Sequence, residues 1–356
     1  MVDRGRVGSM AAATERDDES YLDFVQSLRG YTIGSLNKAA DGRATEVMAH
    51  YEAGIGRPAT SMDEIRTVID DVPIVASLNR FMRSSQEMMW KGVVDTYRKR
   101  EASLVAELDA ADRQGPGTVQ WDPNFQYPNY FASVSFHIQP GSYHDDPLAG
   151  HIYHYGTKVF FTGRNDLDEM HQAMIDSIPL PSDGVVRRVL DIACSVGQAS
   201  TSLKNRFPGA EVWGIDAGTP MVRYAHKRAV DLGLDVHFRQ ALAERTGFPD
   251  GAFDLAHSFL LFHEVPLPIG DEIAREICRV LRPGGVFAIH DLPTRTPNSQ
   301  APLRDYMTYF NRDDNGEPYI VEFTFSDFVG TLRRAGFSDV RLDQRPGGIP
   351  RWIATK

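Results

Sequence analysis

The chain has 356 residues, 42% of them hydrophobic and 24% charged, which suits two domains of a globular protein with a sizeable buried core. Its formal net charge of −10 opposes a long sequence-independent grip on a polyanion, so neither nucleic acid nor an anionic membrane surface is an expected partner. Cys194 and Cys278 form no CxxC pair and no Cys/His zinc pattern, no apolar run approaches the roughly 18 residues of a membrane span, and no apolar signal core opens the chain, so a cytoplasmic location is expected.

Residues 1–20 are small and polar and are expected to form a disordered leader, with Met10 as an alternative start. Helices are predicted over 21–115. Phe24, Leu28 and Tyr31 recur at helical spacing. A longer pattern opens at Asp70, Asp71 and Pro73 and runs through Leu78, Met82, Met89, Val93 and Tyr97. Gln114-Gly115-Pro116-Gly117 stops it. Residues 116–165 change character: Trp121, Phe125, Tyr127, Tyr130 and Phe131 crowd together among prolines, and His137, His144, His151 and His154 follow. This reads as a linking segment or cap that leans over a site. The histidine spacings match no tight metal motif, so no metal is expected.

From about 186 short apolar runs alternate with helical patterns. Strands are predicted at 187–193, 211–216, 235–239, 253–260 and 286–290, with helices at 198–206, 220–232 and 269–281. A helix at 326–335 and late strands at 337–342 and 351–355 follow. Alternation of this kind predicts a largely parallel sheet covered on both faces. The organisation expected is therefore a leader (1–20), a helical N-terminal and cap region (21–180), and an α/β domain (181–356).

Ligands of open α/β sheets bind beyond the carboxyl ends of the strands. After the first strand stands Asp191-Ile192-Ala193-Cys194-Ser195-Val196-Gly197. Its small residues admit close backbone approach, and the following helix offers free N–H groups. Asp216 ends the second strand, where an acid can accept both hydroxyls of a ribose. The absence of G-x-G-x-x-G favours a nucleoside without a pyrophosphate.

With Val212-Trp213-Gly214-Ile215-Asp216, Phe248-Pro249-Asp250-Gly251-Ala252-Phe253-Asp254 and Arg279-Val280-Leu281-Arg282-Pro283-Gly284-Gly285 in that order, the sequence resembles the class I methyltransferases that use S-adenosylmethionine (SAM) over about 170 residues. The resemblance implies a Rossmann-like sheet with helices on both faces, joined to an N-terminal mainly helical region. It implies SAM as cofactor and S-adenosylhomocysteine (SAH) as product. Asp191, Ala193, Cys194 and Gly197 would line the methionine end, Asp216 would hold the ribose with Ala217 and Met221 nearby, and Leu242 and Ala243 would border the adenine. Ser258 to Leu260 would face the sulfonium. The sequence departs from the family at Ala193 and Ser195, where glycine is frequent. It departs again at Leu242, where an acid often accepts from the adenine amino group. Gln240 or backbone is the expected substitute.

His263-Glu264 resembles the His-Asp pair of small-molecule O-methyltransferases, making His263 the candidate base for an oxygen acceptor. His290 ends the fifth strand and is a second catalytic candidate. The long segment 291–325 is expected to be a lid, with Arg304, Tyr306 and Tyr309 as substrate contacts. The acceptor expected is a small molecule, and a homodimer is compatible. C-, N- or S-methylation, an RNA or protein acceptor, and SAM binding without transfer are the competing readings.

Overall fold

The computed structural model describes residues 6–7, 10–11, 13, 15–297, 300–343 and 349–356. The N-terminal half is helical. After a two-residue ribbon, β1 (Arg6–Val7) with β2 (Met10–Ala11), come α1 (Arg16–Tyr31), α2 (Asn37–Ile55), α3 (Met62–Ile69), α4 (Pro73–Arg98) and α5 (Glu101–Ala111). Pro73 begins α4, where a missing N–H costs nothing. The leader expected to be disordered is helical from Arg16, and Met10 and Ala13 are buried in the apolar cluster of α1, α4 and α7.

Residues 116–165 hold β3 (Thr118–Gln120), α6 (Asn129–Ala132) and α7 (Ala149–Phe160). Helix α7 escapes a periodicity reading because it is enclosed on several sides, with eight of its twelve residues buried. A Cβ on Gly156 would lie 2.2 Å from the Trp90 ring of α4, and one on Gly150 would lie 2.4 Å from Tyr224 Cβ. Short α8 (Glu169–Asp176) leads into the alternating half: β4 (Arg188–Ile192), α9 (Gln198–Arg206), β5 (Glu211–Asp216), α10 (Thr219–Asp231), β6 (Val236–Gln240), β7 (Phe253–Phe259), α11 (Leu267–Val280) and β8 (Leu281–His290). Then come α12 (Pro302–Asp314), α13 (Ile320–Thr324), α14 (Phe328–Arg334), β9 (Asp339–Asp343) and β10 (Arg351–Thr355).

The eight-stranded sheet has the order β3-β6-β5-β4-β7-β8-β10-β9. Its strands are parallel from β3 to β8, and β10 lies antiparallel between β8 and β9. One apolar layer packs α11 and α14 on the sheet, and a second packs α9 and α10 on the other face. The chain leaves β4 for β5 on one side and returns to β7 on the other, which opens a crevice at the carboxyl ends of β4 and β7.

The division at 180/181 does not separate two packing units. Thr118–Gln120 pairs with β6, and Leu303 and Tyr306 of α12 lie in the apolar cluster of α2, α3 and α4. The segment expected as a lid is thus partly a pair of helices. Residues 298–299 within it lie outside the described residues.

Candidate active site

Two adjoining cavities lie at the carboxyl ends of the parallel strands, and Tyr153, Ala193, Ser195 and Phe259 border both. The smaller is lined by Asp191, Cys194, Val196, Gln198, Ala199 and His171. The larger spans about 850 Å³ of non-atom space, open solvent at its mouth included. Its floor holds Asp216, Ala217, Met221, Leu242 and Ala243.

The β4–α9 loop is fixed by its neighbours. Ser195 N donates to Asp216 Oδ2 (2.9 Å), Gly218 N donates to Asp216 Oδ1 (2.8 Å), and Cys194 N bonds Ile215 O (2.9 Å). Each Asp216 oxygen thereby takes one backbone N–H and keeps a further lone pair. Enclosure pushes the carboxyl up to about 6, against those two hydrogen bonds.

Ala193 (φ 51°) and Ser195 (φ 50°) adopt the left-handed conformation that explains the glycines frequent there. The buried Ser195 hydroxyl lies beside Tyr153 and makes no well-formed hydrogen bond among the described residues. Gly197 (φ 77°) underlies the loop, and a Cβ there would lie 3.0 Å from that of Ala225. It supports the site without lining it. Anchored carboxylate and strained loop suit the ribose and methionine parts of SAM.

Gln240, the expected substitute for the missing acid, is already engaged. Its Oε1 accepts from Asp122 N (3.1 Å) and its Nε2 donates to Ala217 O (2.9 Å). Glu244 lines the cavity, accepts from Tyr130 OH at 2.7 Å, and keeps a buried Oε2 unpaired among the described residues.

Asp191 borders the smaller cavity but its carboxylate is already engaged, and several other expected site residues stand elsewhere. The Asp191 carboxylate takes the Ser200 hydroxyl (2.5 Å) and pairs with His257 (2.8 Å), whose other nitrogen lies 3.3 Å from His290 Nδ1. His290 belongs to this buried chain of polar groups and does not line either cavity. Ser258 is fully buried in β7, and its successors Phe259 and Leu260 reach the cavity. Arg304, Tyr306 and Tyr309 are absent from both cavities. Tyr306 OH accepts from Asn79 Nδ2 (3.0 Å), Tyr309 stacks with Arg66, and Arg304 pairs with Asp305 (3.1 Å). Their helix spends its apolar face on α2 and α3.

His263 is also behind the cavity wall. Its Nδ1 lies 2.5 Å from Asp291 Oδ1, and Asp291 is held in turn by the backbone N–H groups of Phe262 and Leu292. Burial opposes the charged ring, but Asp291 raises its pKa to about 9. The ring lines neither cavity, so His263 is not placed to act as the base. Its neighbour Glu264 lines the cavity and pairs with His137 of the cap.

The roof is aromatic: Tyr130, Phe131, Phe136, Tyr143 and Tyr153 all come from 121–160. Phe136 stacks on Tyr143 (5.4 Å, 9°), and Tyr143 meets Tyr153 edge-on (5.5 Å, 89°). The crowding of aromatics and histidines there was the available signal, but spacing alone did not single out His137 or Tyr153. Among the described residues no group of three or more His, Cys, Asp or Glu is arranged to hold a metal ion, and no helix is long and apolar enough to cross a membrane.

A family model described as a methyltransferase domain matches residues 189–285. The chain is similar to a demethylmenaquinone methyltransferase of Thermus thermophilus, 37% identical over 139 residues, which are 38% of this chain and 60% of that protein. It is also similar to an uncharacterized methyltransferase of Synechocystis sp., 32% identical over 184 residues, which are 51% of this chain and 79% of that protein. Among solved structures, PigF with SAH aligns over 93% of this chain and 98% of that one, at 15% identity and a TM-score of 0.47.

Proposed function

Because the chain belongs to the class I SAM-dependent methyltransferases, we propose that it methylates a small molecule held between the sheet edge and the cap, on an oxygen atom. The observation that carries this reading is one cavity bordered by both Asp216 and Glu264 and roofed by aromatic rings. When bound, SAM supplies a methyl group already activated on a sulfonium. The work left to the protein is alignment and exclusion of water.

Asp216 would hold the ribose, and Ala217 and Met221 would pack beside it. Ala193, Cys194 and Gln198 would face the methionine end, with Leu242 and Ala243 along the adenine. Tyr153 and Phe259, which border both cavities, would flank the point of transfer. The cap then selects the acceptor by shape.

A second reading, transfer to a carbon atom, is favoured by the similarity to a ubiquinone/menaquinone biosynthesis C-methyltransferase of Laribacter hongkongensis. Incubation with SAM carrying a 13C-methyl group and a panel of hydroxylated ring compounds tests both readings. The expected result is SAH and a product heavier by one methyl group, and the carbon chemical shift separates O–CH3 from C–CH3. Bound SAM with no SAH formed across the panel would favour binding without transfer.

A further inference from the structure

Glu264 is a carboxylate of the larger cavity for which SAM leaves no obvious use. The cap meets it through His137, which also reaches Glu317. From the cap, His137 Nε2 lies 2.8 Å from Glu264 Oε1, and His137 Nδ1 lies 3.3 Å from Glu317 Oε1. Glu317 precedes α13 and accepts from Asn315 Nδ2 at 2.8 Å. Behind Glu264, His263 Nε2 stands 4.0 Å from its Oε1.

The backbone of His137 is held as firmly as its ring. Its carbonyl accepts from Gln86 Nε2 (2.8 Å) and Trp90 Nε1 (2.7 Å), both on α4. His137 (φ 50°) and Ile138 (φ 54°) both adopt a left-handed conformation that is costly for such side chains. Strain of this kind persists where surrounding contacts fix a working geometry.

The chemistry of the lining gives an independent constraint. The cavity is bordered by Asp216, Glu244 and Glu264 and by six aromatic rings, and no Lys or Arg is among its described lining residues. The one cationic side chain among the described lining residues, His137, is already shared by Glu264 and Glu317, so a carboxylate or phosphate on the acceptor would be buried beside three acids with no cation left to pair with it, which is strongly unfavourable. A flat uncharged ring suits the aromatic walls.

We propose that Glu264, oriented by His137, binds the acceptor hydroxyl and receives its proton, and that the acceptor is a flat, uncharged ring bearing that hydroxyl. This rests on the methyl-transfer reading above. As the new O–CH3 bond forms and the S–CH3 bond breaks, the hydroxyl hydrogen becomes strongly acidic and passes to the Glu264 carboxylate, while SAH leaves as the neutral thioether. His137 is a positioning residue: it aims the carboxylate and does not touch the reacting atoms.

The test uses the full chain saturated with SAH and two ring compounds of matched size, 2-naphthol and 2-naphthoate, titrated by calorimetry. 2-Naphthol is expected to bind at least about tenfold more tightly than 2-naphthoate. Glu264→Gln should weaken 2-naphthol about tenfold, the loss of one hydrogen bond to a charged group, and leave SAH affinity within about twofold. His137→Gln, which keeps a donor toward Glu264, should retain most of the 2-naphthol affinity, whereas His137→Phe should lose it. Equal binding of the two compounds overturns the proposal. So does an SAH complex that fails to bind 2-naphthol at millimolar concentration, or a Glu264→Gln protein that binds it as before. Failure of the wild-type chain to bind SAH would instead remove the methyl-transfer reading itself.

Discussion

The β4–α9 loop and the segment 121–160 face the same cavity but are held in place by different means. The loop is fixed by bonds from its backbone N–H groups to the adjacent strand, from Ser195 N to the Asp216 carboxylate and from Cys194 N to Ile215 O. It is backed by Arg228, whose guanidinium reaches Gly197 O (3.2 Å) and Thr201 Oγ1 (2.8 Å) and pairs with Asp168. The cap is fixed by long-range contacts: His137 to Glu264 and Glu317, Trp90 to the His137 carbonyl, and the glycine faces of α7 against α4 and α10. A floor built from local bonds is expected to be rigid before any ligand arrives. A roof held by buried charges and close helix packing is expected to loosen first.

Raising the pH should break this comparison most visibly. Burial opposes charge on both imidazoles, yet Glu264 and Glu317 raise His137 to about 10, and Asp291 raises His263 to about 9. Both folded values exceed the ordinary 6.5. Their stabilisation is therefore complete below about pH 6.5, declines as pH rises, and is gone above about 9 to 10. Urea midpoints measured between pH 6 and 10 should fall across that window, and the fall should be smaller in Asp291→Asn. Midpoints that stay level would mean that the two rings are not held as ions.

Asp216→Ala probes the floor alone. It removes a carboxylate that SAM would use through charge-assisted hydrogen bonds, worth ~1.5–3 kcal/mol each, so SAM affinity should drop about 100-fold by calorimetry. Retention of near-wild-type affinity would contradict the placement of the ribose. Gly156→Ala probes the roof alone. The added methyl collides with the Trp90 ring and should cost about 1–3 kcal/mol in urea unfolding, with SAM affinity almost unchanged. An equal loss of SAM affinity would show that floor and roof are not separable.

Much of the floor could be read from the residues in order. β5 and α9 lie at the predicted positions, and β4, α10, β6 and β7 differ only by a residue or so at their ends. The reason is physical: a buried parallel strand ending in small residues, followed by an acid at the next strand end, encodes its own geometry over some twenty-five residues. The roof was legible only as a crowd of aromatics and histidines. Helix α7 carries no clean apolar stripe, because α4 and α10 bury different faces of it. Residues 291–325 read as a lid loop, which assigns Arg304, Tyr306 and Tyr309 to a substrate, whereas in the fold they lie on α12, whose apolar residues pack against α2 and α3.

The sequence by itself determined the class of sheet, the β4–α9 loop and Asp216 at the strand end, since those depend on neighbours close along the chain. Only the tertiary structure decided which residues of 116–165 enter the cavity, and that Glu264 rather than His263 faces it. It alone brought His137 between two glutamates, 127 and 180 residues further along the chain. A pairing over such separations is set by how whole helices pack, and no local pattern of residues records it.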